Sequence, residues 1–257
     1  MSLKRQSEIL HAVRKTGSSS IVDLAEQLDV STETIRRSIK PLVEKGSVVR
    51  FHGGIMDPDH DEDPPFDRRM QINEAGKRNV AKLVAEMVQD GDSLILDNGT
   101  TTAYVADALA NRSRLVVVTN SVQIAYRLAP RNGNRVFMTG GELSGDDASA
   151  FGPASLEFVK QFKVRFALIS VGGITNRGDL VDFHLFEAEF SRAAMKQAEE
   201  TWIIADHSKF GRDAPVRVCE LSEVDRIVCD KQPGVEFSRR CREADVRIIT
   251  SAEKSKS

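Results

Sequence analysis

The stretch Ser31-Thr32-Glu33-Thr34-Ile35-Arg36-Arg37-Ser38-Ile39-Lys40-Pro41 decides how the first part of this chain is read. Ser31 is of the type that caps helix N-termini, because its hydroxyl accepts a bond from a free backbone N–H of the first turn. Ile35, Ile39, Leu42 and Val43 then fall at i, i+4, i+7 and i+8, the spacing of one buried helix face. Thr32, Arg36 and Lys40 therefore line the opposite side, with Glu33 and Arg37 beside them. A helix–turn–helix needs this division: one face anchored in a core, the N-terminal outer face free for base edges and phosphates. Pro41 stands where the helix should still be running. It removes a backbone donor and crowds the carbonyl of Arg37, at a cost of ~3 kcal/mol, which predicts a kink over residues 37–41.

Working outward, Ile9, Leu10 and Val13 give a first apolar helix face that ends near Gly17. Leu24, Ala25 and Leu28 give a second, introduced by Ser20, and Asp29-Val30 makes a tight turn into the stretch above. After Gly46, residues 47–51 alternate like a strand, and His52-Gly53-Gly54 supplies a turn before Ile55, which predicts a β-wing. The candidate DNA contacts are Ser31, Thr32, Glu33, Thr34, Arg36, Arg37 and Lys40 on the helix, and Arg50, His52 and Gly53 on the wing. Taken singly, each piece also fits a solvated basic surface. Charge separates the two halves of the chain. Residues 1–56 carry nine Lys/Arg against six Asp/Glu, a net +3 in a chain whose formal net charge is −2. A neutral chain with one basic end fits contact with a polyanion through that end alone.

The boundary falls at residues 57–67, DPDHDEDPPFD, acidic and rich in proline, so residues 57–71 are expected to form a linker between domains at 1–56 and 72–257. At 257 residues with 40% hydrophobic and 29% charged, the composition is that of a soluble globular protein. No apolar run approaches the ~18 residues of a membrane span, and the N-terminus lacks the succession of a signal peptide, so a cytoplasmic location is expected. Cys219, Cys229 and Cys241 show neither disulfide-scaffold nor CxxC spacing and read as reduced, buried thiols. The five histidines show no ligand spacing, and no metal or cofactor is expected.

In the second half, Val80, Leu83, Val84, Met87 and Val88 mark a long amphipathic helix. Strand candidates follow at 93–96, 115–118, 135–138, 164–171, 202–205, 226–229 and 246–249, with helical patterns between most of them. Such alternation predicts an α/β fold with a mostly parallel sheet. Ligands of such folds gather at the carboxyl ends of strands, where the small polar residues of this chain fall. Asp97, Gly99, Thr100, Thr101 and Thr102 run from a strand into a helix, an outline of a phosphate cradle without the Gly-Lys-Ser/Thr of a P-loop. Thr119, Asn120, Gly140, Gly141, Glu142, Gly172, Gly173 and Lys209 sit at other strand ends and complete a candidate pocket for a phosphorylated, hydroxylated molecule. A tight turn at Gly172-Gly173 and a solvated Lys209 are the plainer alternatives.

The first half resembles the N-terminal winged helix–turn–helix of the DeoR family of bacterial repressors, through Thr34-Ile35-Arg36-Arg37 and Arg50-Phe51-His52-Gly53-Gly54. It departs from the family at Ser38-Ile39, where Asp-Leu is usual, and at Pro41. The second half resembles the sensor domain of the same family through Asp97-Asn98-Gly99-Thr100-Thr101, Thr119-Asn120, Gly140-Gly141-Glu142, Gly172-Gly173-Ile174, Glu187 and Ser208-Lys209-Phe210-Gly211. That resemblance implies a fold similar to ribose-5-phosphate isomerase and glucosamine-6-phosphate deaminase, and adds Glu187 to the candidate effector contacts. Residues 178–183 and 207–212 are similar to the glycerol-3-phosphate regulon repressors within the family. The implied function is a DNA-binding repressor of a carbohydrate or polyol operon, controlled by a sugar phosphate or polyol phosphate such as glycerol 3-phosphate. Its expected partners are double-stranded operator DNA and further copies of itself, as a homodimer or homotetramer, with no membrane. The rival class is a phosphosugar isomerase carrying an extra DNA-binding domain, in which Glu187 and Lys209 would serve catalysis. The isomerases resembled place carboxylates after the strand that here ends in Val171-Gly172-Gly173-Ile174, so binding without turnover is the expectation.

Overall fold

A computed structural model describes residues 2–16, 18–45, 47–51, 54–56 and 64–251. Two compact units divide the chain, Met1–Pro64 and Pro65–Ser257.

In the first unit, α1 (Ser2–Thr16), β1 (Ser18–Ser20), α2 (Ile21–Gln27) and α3 (Thr32–Glu44) precede a hairpin of β2 (Val49–Phe51) and β3 (Gly54–Met56). Each cap expected from the sequence is made. Ser20 Oγ accepts from the Asp23 N–H at 3.0 Å, and Ser31 Oγ accepts from the Thr34 N–H at 3.2 Å. Between α2 and α3 the chain turns at Asp29, in the left-handed region at φ 48°. Ile9, Val13, Leu24, Ile35, Ile39, Leu42, Val48 and Ile55 form one buried cluster, so the period-3.6 and period-2 patterns converge on a single core. The wing pairs antiparallel with Phe51 opposite Gly54, and β1 adds a third strand on the other side of β3. β1 is Ser-Ser-Ser and gives no apolar signal, so the sequence did not mark it.

α3 runs through Pro41 to Glu44 as one helix, across the residues 37–41 where a kink is expected. Leu42 is buried beyond the proline, and the Lys45 N–H donates to the Pro41 carbonyl at 3.2 Å, so the last turn closes around it. The carbonyl that loses its donor belongs to Arg37, an exposed residue, where water can bond to it. Ser38 is buried, and its hydroxyl donates to the Thr34 carbonyl at 2.9 Å. The small side chain thus satisfies itself within the helix at a position that packs against the core.

The second unit opens on α4 (Phe66–Gln71) and α5 (Glu74–Met87). Residues 66–71, expected to end the linker, are therefore helix, and Phe66 is only 2% exposed. Seven parallel strands follow: β4 (Ser93–Leu96), β5 (Val116–Thr119), β6 (Arg135–Met138), β7 (Val164–Ile169), β10 (Ala198–Ala205), β12 (Arg226–Cys229) and β13 (Arg247–Ile249). They lie in the order β13-β12-β10-β7-β4-β5-β6. Ile95, Val118, Ala167, Ile169 and Ile203 pack on one face under α9 (Leu185–Met195) and α10 (Val235–Glu243). Leu94, Leu96, Val117, Phe166 and Trp202 pack on the other under α5, α6 (Thr100–Ala108) and α7 (Val122–Leu128). A sheet covered on both faces has apolar side chains pointing both ways, which is why its strands read as continuous apolar runs.

From β4, the chain winds one way through β5 and β6, then returns to place β7 on the opposite side of β4. That reversal leaves a crevice at the carboxyl ends of β4 and β7, the position where open α/β sheets bind ligands. The loop after β6 leads to α8 (Pro153–Val159). A second sheet, β11 (Val216–Cys219), β9 (Leu180–Asp182) and β8 (Gly173–Ile174), is antiparallel and was not anticipated. It begins where β7 had been expected to extend to Val171. Cys219, Cys229 and Cys241 are buried, and none of them is in a disulfide among the described residues.

The path of α3 gives a test. Pro41→Ala restores a backbone donor to Arg37 and should stabilise the first unit by ~1–3 kcal/mol. Amide exchange of α3 in the full-length protein should slow accordingly. Faster exchange would mean that packing of the proline ring outweighs the missing bond.

Candidate functional site

On α3 the side chains sort as the pattern requires. Arg36, Arg37, Lys40 and Glu33 are exposed, Thr32 is half-buried, and Ile35 and Ile39 are buried. Ser31 and Thr34 are committed to each other, with hydroxyls 2.8 Å apart, so they cap the helix and leave little for base edges. Arg36 pairs with Glu33 at 3.5 Å on the surface, a contact weak enough to yield to a phosphate. Arg50 is exposed on β2. His52 and Gly53, candidates at the wing tip, lie outside the described residues, as do Gly17, Gly46 and the acidic run 57–63.

In the second unit the crevice is organised by Asp97. Its carboxylate follows β4 and is 3% exposed. Oδ1 accepts from the Gly99 N–H at 3.1 Å and from the Thr102 hydroxyl, while Oδ2 accepts from the Ser170 N–H at 2.6 Å and the Ser170 hydroxyl at 3.0 Å. Burial pushes the Asp97 carboxyl up to about 6, against the pull of those four donors. From the sequence, Asp97 and Thr102 are expected among ligand contacts. The structure instead commits them to each other and to β7, so they shape the crevice from behind. Gly99 belongs to the same lock, because a Cβ there would lie 1.7 Å from Ser170 Oγ.

What the lock presents is the N-terminus of α6. Thr100 and Thr101 occupy its first turn, and neither hydroxyl has a protein partner among the described residues. The free N–H groups and dipole of this turn favour an anion. Across the crevice, Lys209 Nζ and Arg212 Nη1 both donate to the Gly172 carbonyl, at 3.4 and 3.2 Å, and Arg212 stacks 4.5 Å over the Phe183 ring. Gly172 and Gly173 were expected to leave room for a ligand. They are instead filled by the protein itself: a Cβ at Gly173 would sit 2.5 Å from the Arg212 carbonyl oxygen, and one at Gly172 would meet Phe183 and Asp182.

Asp206 ends β10 beneath Lys209. Burial works to raise its carboxyl, yet Lys209, the donors Ser208 and Asn73, and Lys77 together hold it below its ordinary value. Asn73 Nδ2 donates to Asp206 Oδ1 at 2.6 Å. His207 is held above its usual value chiefly by a 2.7 Å bond to Asp230, which ends β12.

Toward β5, Asn98 Nδ2 donates to Asp147 at 2.7 Å and to Glu187 at 3.2 Å, which brings Glu187 to the crevice. Asn120 is fully buried after β5, whereas Thr119 turns its hydroxyl to accept from the Ser121 N–H at 3.1 Å. Gly140, Gly141 and Glu142 are exposed at the start of the loop after β6, and among the described residues no hydrogen bond or ion pair joins them to the Asp97 cluster. The sequence missed Arg212, Asp147 and the buried Lys77. Of these, only Arg212 left a signal, as the last residue of the run 207–212.

α4 and the start of α5 together bond several parts of this arrangement. The Phe66 N–H donates to both Asp146 oxygens at 2.9 and 3.0 Å, and Arg69 pairs with Asp146 at 3.4 Å. Tyr104 of α6 donates to the Met70 carbonyl at 3.1 Å, and Lys77 donates to the Arg69 carbonyl. The segment entering the second unit is thus held by the loop after β6, by α6 and, through Asn73, by the Asp206 loop. A separate groove of about 510 Å³ is lined by Arg78, Lys82, Tyr104, Asp107 and Arg112 on the helix layer and involves none of the strand-end loops. Among the described residues no three His, Cys, Asp or Glu group as metal ligands, and no helix is long and apolar enough to cross a membrane.

Residues 72–231 match the DeoR C terminal sensor domain, and residues 5–60 match the DeoR-like helix-turn-helix domain. The chain is similar to the glycerol-3-phosphate regulon repressor of Escherichia coli (strain K12), 35% identical over 232 residues, which cover 90% of this chain and 92% of that protein. It is 31% identical over 249 residues to the HTH-type transcriptional repressor CsqR of the same strain, covering 97% and 95%. Among solved structures, ribose 5-phosphate isomerase a from Methanocaldococcus jannaschii superposes with a TM-score of 0.39 at 18% identity, covering 54% of this chain and 55% of that one. The Pyrococcus horikoshii OT3 translation initiation factor eIF-2B gives 0.42 at 18% identity, covering 61% and 62%. The chain belongs to the DeoR family, with a helix–turn–helix domain ahead of a sensor domain.

Proposed function

We propose that this DeoR-family transcriptional repressor binds operator DNA through α3 and the wing and answers to a phosphorylated sugar or polyol held in the β4–β7 crevice. The observation that carries the effector assignment is that Asp97 ties the first turn of α6 to Ser170, and two residues on, the Gly172 carbonyl holds the cations Lys209 and Arg212. A helix N-terminus and two compact cationic groups are complementary to a phosphate. The glycerol-3-phosphate regulon repressors among its relatives make glycerol 3-phosphate the first ligand to test. Asp97, Asp182 and Asp206 each accept bonds from backbone N–H groups of their own loops, which supports binding without turnover.

One winged module covers little DNA surface, so specific binding calls for a dimer or tetramer presenting paired modules to repeated half-sites. The proposed link between effector and operator binding is the segment of α4 and Asn73, because the Asp146 loop and α6 hold α4 and the Asp206 loop holds Asn73.

Arg36→Ala should weaken operator binding by ~1–3 kcal/mol and relax preference at one base position. Equal affinity and salt dependence for Arg36→Ala and Arg37→Ala proteins, measured by fluorescence anisotropy, would remove α3 from the groove. Lys209→Ala should weaken binding of the phosphorylated effector by ~1.5–3 kcal/mol, the scale of a hydrogen bond to a charged group, and leave effector-free operator affinity unchanged. Calorimetry showing wild-type effector affinity in that variant would take Lys209 out of the pocket. Asp146→Ala should keep effector affinity within a few-fold and reduce the change in operator affinity that effector produces, since coupling is reciprocal between the two sites. Full coupling in that variant would rule out α4 as the link.

A further inference from the structure

Around the crevice nearly every buried polar side chain is paired. Asn98 bonds Asp147 and Glu187, Asp147 accepts from the Ser149 N–H at 3.1 Å, and Ser155 donates to Thr139 at 2.8 Å. Beside the Thr100 and Thr101 hydroxyls and Asp206 Oδ2, the exceptions are Asn120 and Ser149. Both are 0% exposed, and the Asn120 nitrogen, the Asn120 oxygen and the Ser149 hydroxyl all lack a hydrogen bond. The two residues are brought together by the backbone: Ser121 bridges Ser149, and the Ala150 N–H donates to the Asn120 carbonyl at 2.8 Å. A buried amide with both ends unpaired is rare in a fold and marks a place where a partner belongs.

The chemistry of that partner follows from what is unpaired and what stands near. The vacant groups are amide donors, an amide acceptor and a hydroxyl that can act as either. A carbohydrate or polyol hydroxyl, itself donor and acceptor, satisfies such a set. A phosphate does not, because it offers no donor to the Asn120 oxygen, and the Asp147 carboxylate, which accepts from the Ser149 N–H, repels it. The anionic end of a ligand therefore goes to α6 and Lys209, and its carbon chain toward β5. We propose that Asn120 and Ser149 are the specificity-determining contacts to hydroxyls of the effector's carbon chain. The assignment rests on the reading of the crevice as a site for a phosphorylated sugar or polyol.

The test is calorimetric titration of the full-length protein, wild type, Asn120→Leu and Ser149→Ala, with glycerol 3-phosphate, glucose 6-phosphate, fructose 6-phosphate, free glycerol and propyl phosphate. Wild type should bind at least one hydroxylated ester tenfold or more tightly than propyl phosphate, which lacks the hydroxyls. In both variants that ratio should fall to about threefold or less, while propyl phosphate affinity stays at its wild-type value. Ligand-free Ser149→Ala should unfold at the same or a higher temperature, since it removes a buried hydroxyl without a partner. Retention of the wild-type ratio in both variants overturns the proposal, as does a lower unfolding temperature for Ser149→Ala, which would mark a structural hydroxyl. Binding of free polyol through these residues, with no preference for its phosphate ester, would uphold the hydroxyl contacts and overturn the phosphorylated effector instead. Absence of any binding by wild type overturns both.

Discussion

A buried carboxylate at the crossing of β4 and β7 is the constraint on which the sensor unit depends. Asp97 joins the end of one strand to the backbone of another 73 residues later and to the first turn of α6. Four donors on one carboxylate hold loop, helix start and neighbouring strand in a single arrangement. Burial and the donors act in opposite directions on its proton. Folding raises the carboxyl from 3.8 to about 6, so stability carried by the neutral form is present below 3.8 and is lost as the pH rises to about 6. At neutral pH the donors carry a buried charge that water would otherwise solvate. Everything the crevice offers a ligand is displayed on this frame.

The seven strands were legible because each is an apolar run long enough to announce itself, and the parallel arrangement followed from the helices between them. The second sheet was not. β8 is Gly-Ile, β9 and β11 are short, and β11 pairs with β9 across a long stretch of chain, Val216 opposite Asp182, which no local pattern records. α4 hid for a different reason. Phe-Asp-Arg-Arg-Met-Gln follows two prolines, and its only strong anchor is Phe66, whose burial depends on the rest of the unit. In the first unit the caps and the buried stripe of α3 were visible in the sequence. The tolerance of Pro41 was not, because it depends on Leu42 being held by a core the sequence does not display.

Residue type at the strand ends was legible in the sequence, and residue role was not. Polar and glycine positions at the strand ends were found, yet Asp97, Thr102 and Thr119 face protein, and Gly99, Gly172 and Gly173 make room for Ser170, Asp182 and Arg212. Small residues at strand ends are needed when two chain segments approach closely, and that need is indistinguishable from ligand clearance until the neighbours are known. The unpaired state of Asn120 is equally invisible in sequence, since it is defined by partners that are missing.

The winding of the sheet also orders events in time. The first unit is made of the first 64 residues, so its chain is complete early in synthesis. The crevice needs β7 to reach β4 and then the loop that carries Lys209 and Arg212. At ribosomal rates of roughly 5–20 residues per second, chain for that loop follows on the order of ten seconds later. The residues of the helix–turn–helix are thus synthesised well before those of the crevice, and any response to a metabolite is a property of the finished molecule only.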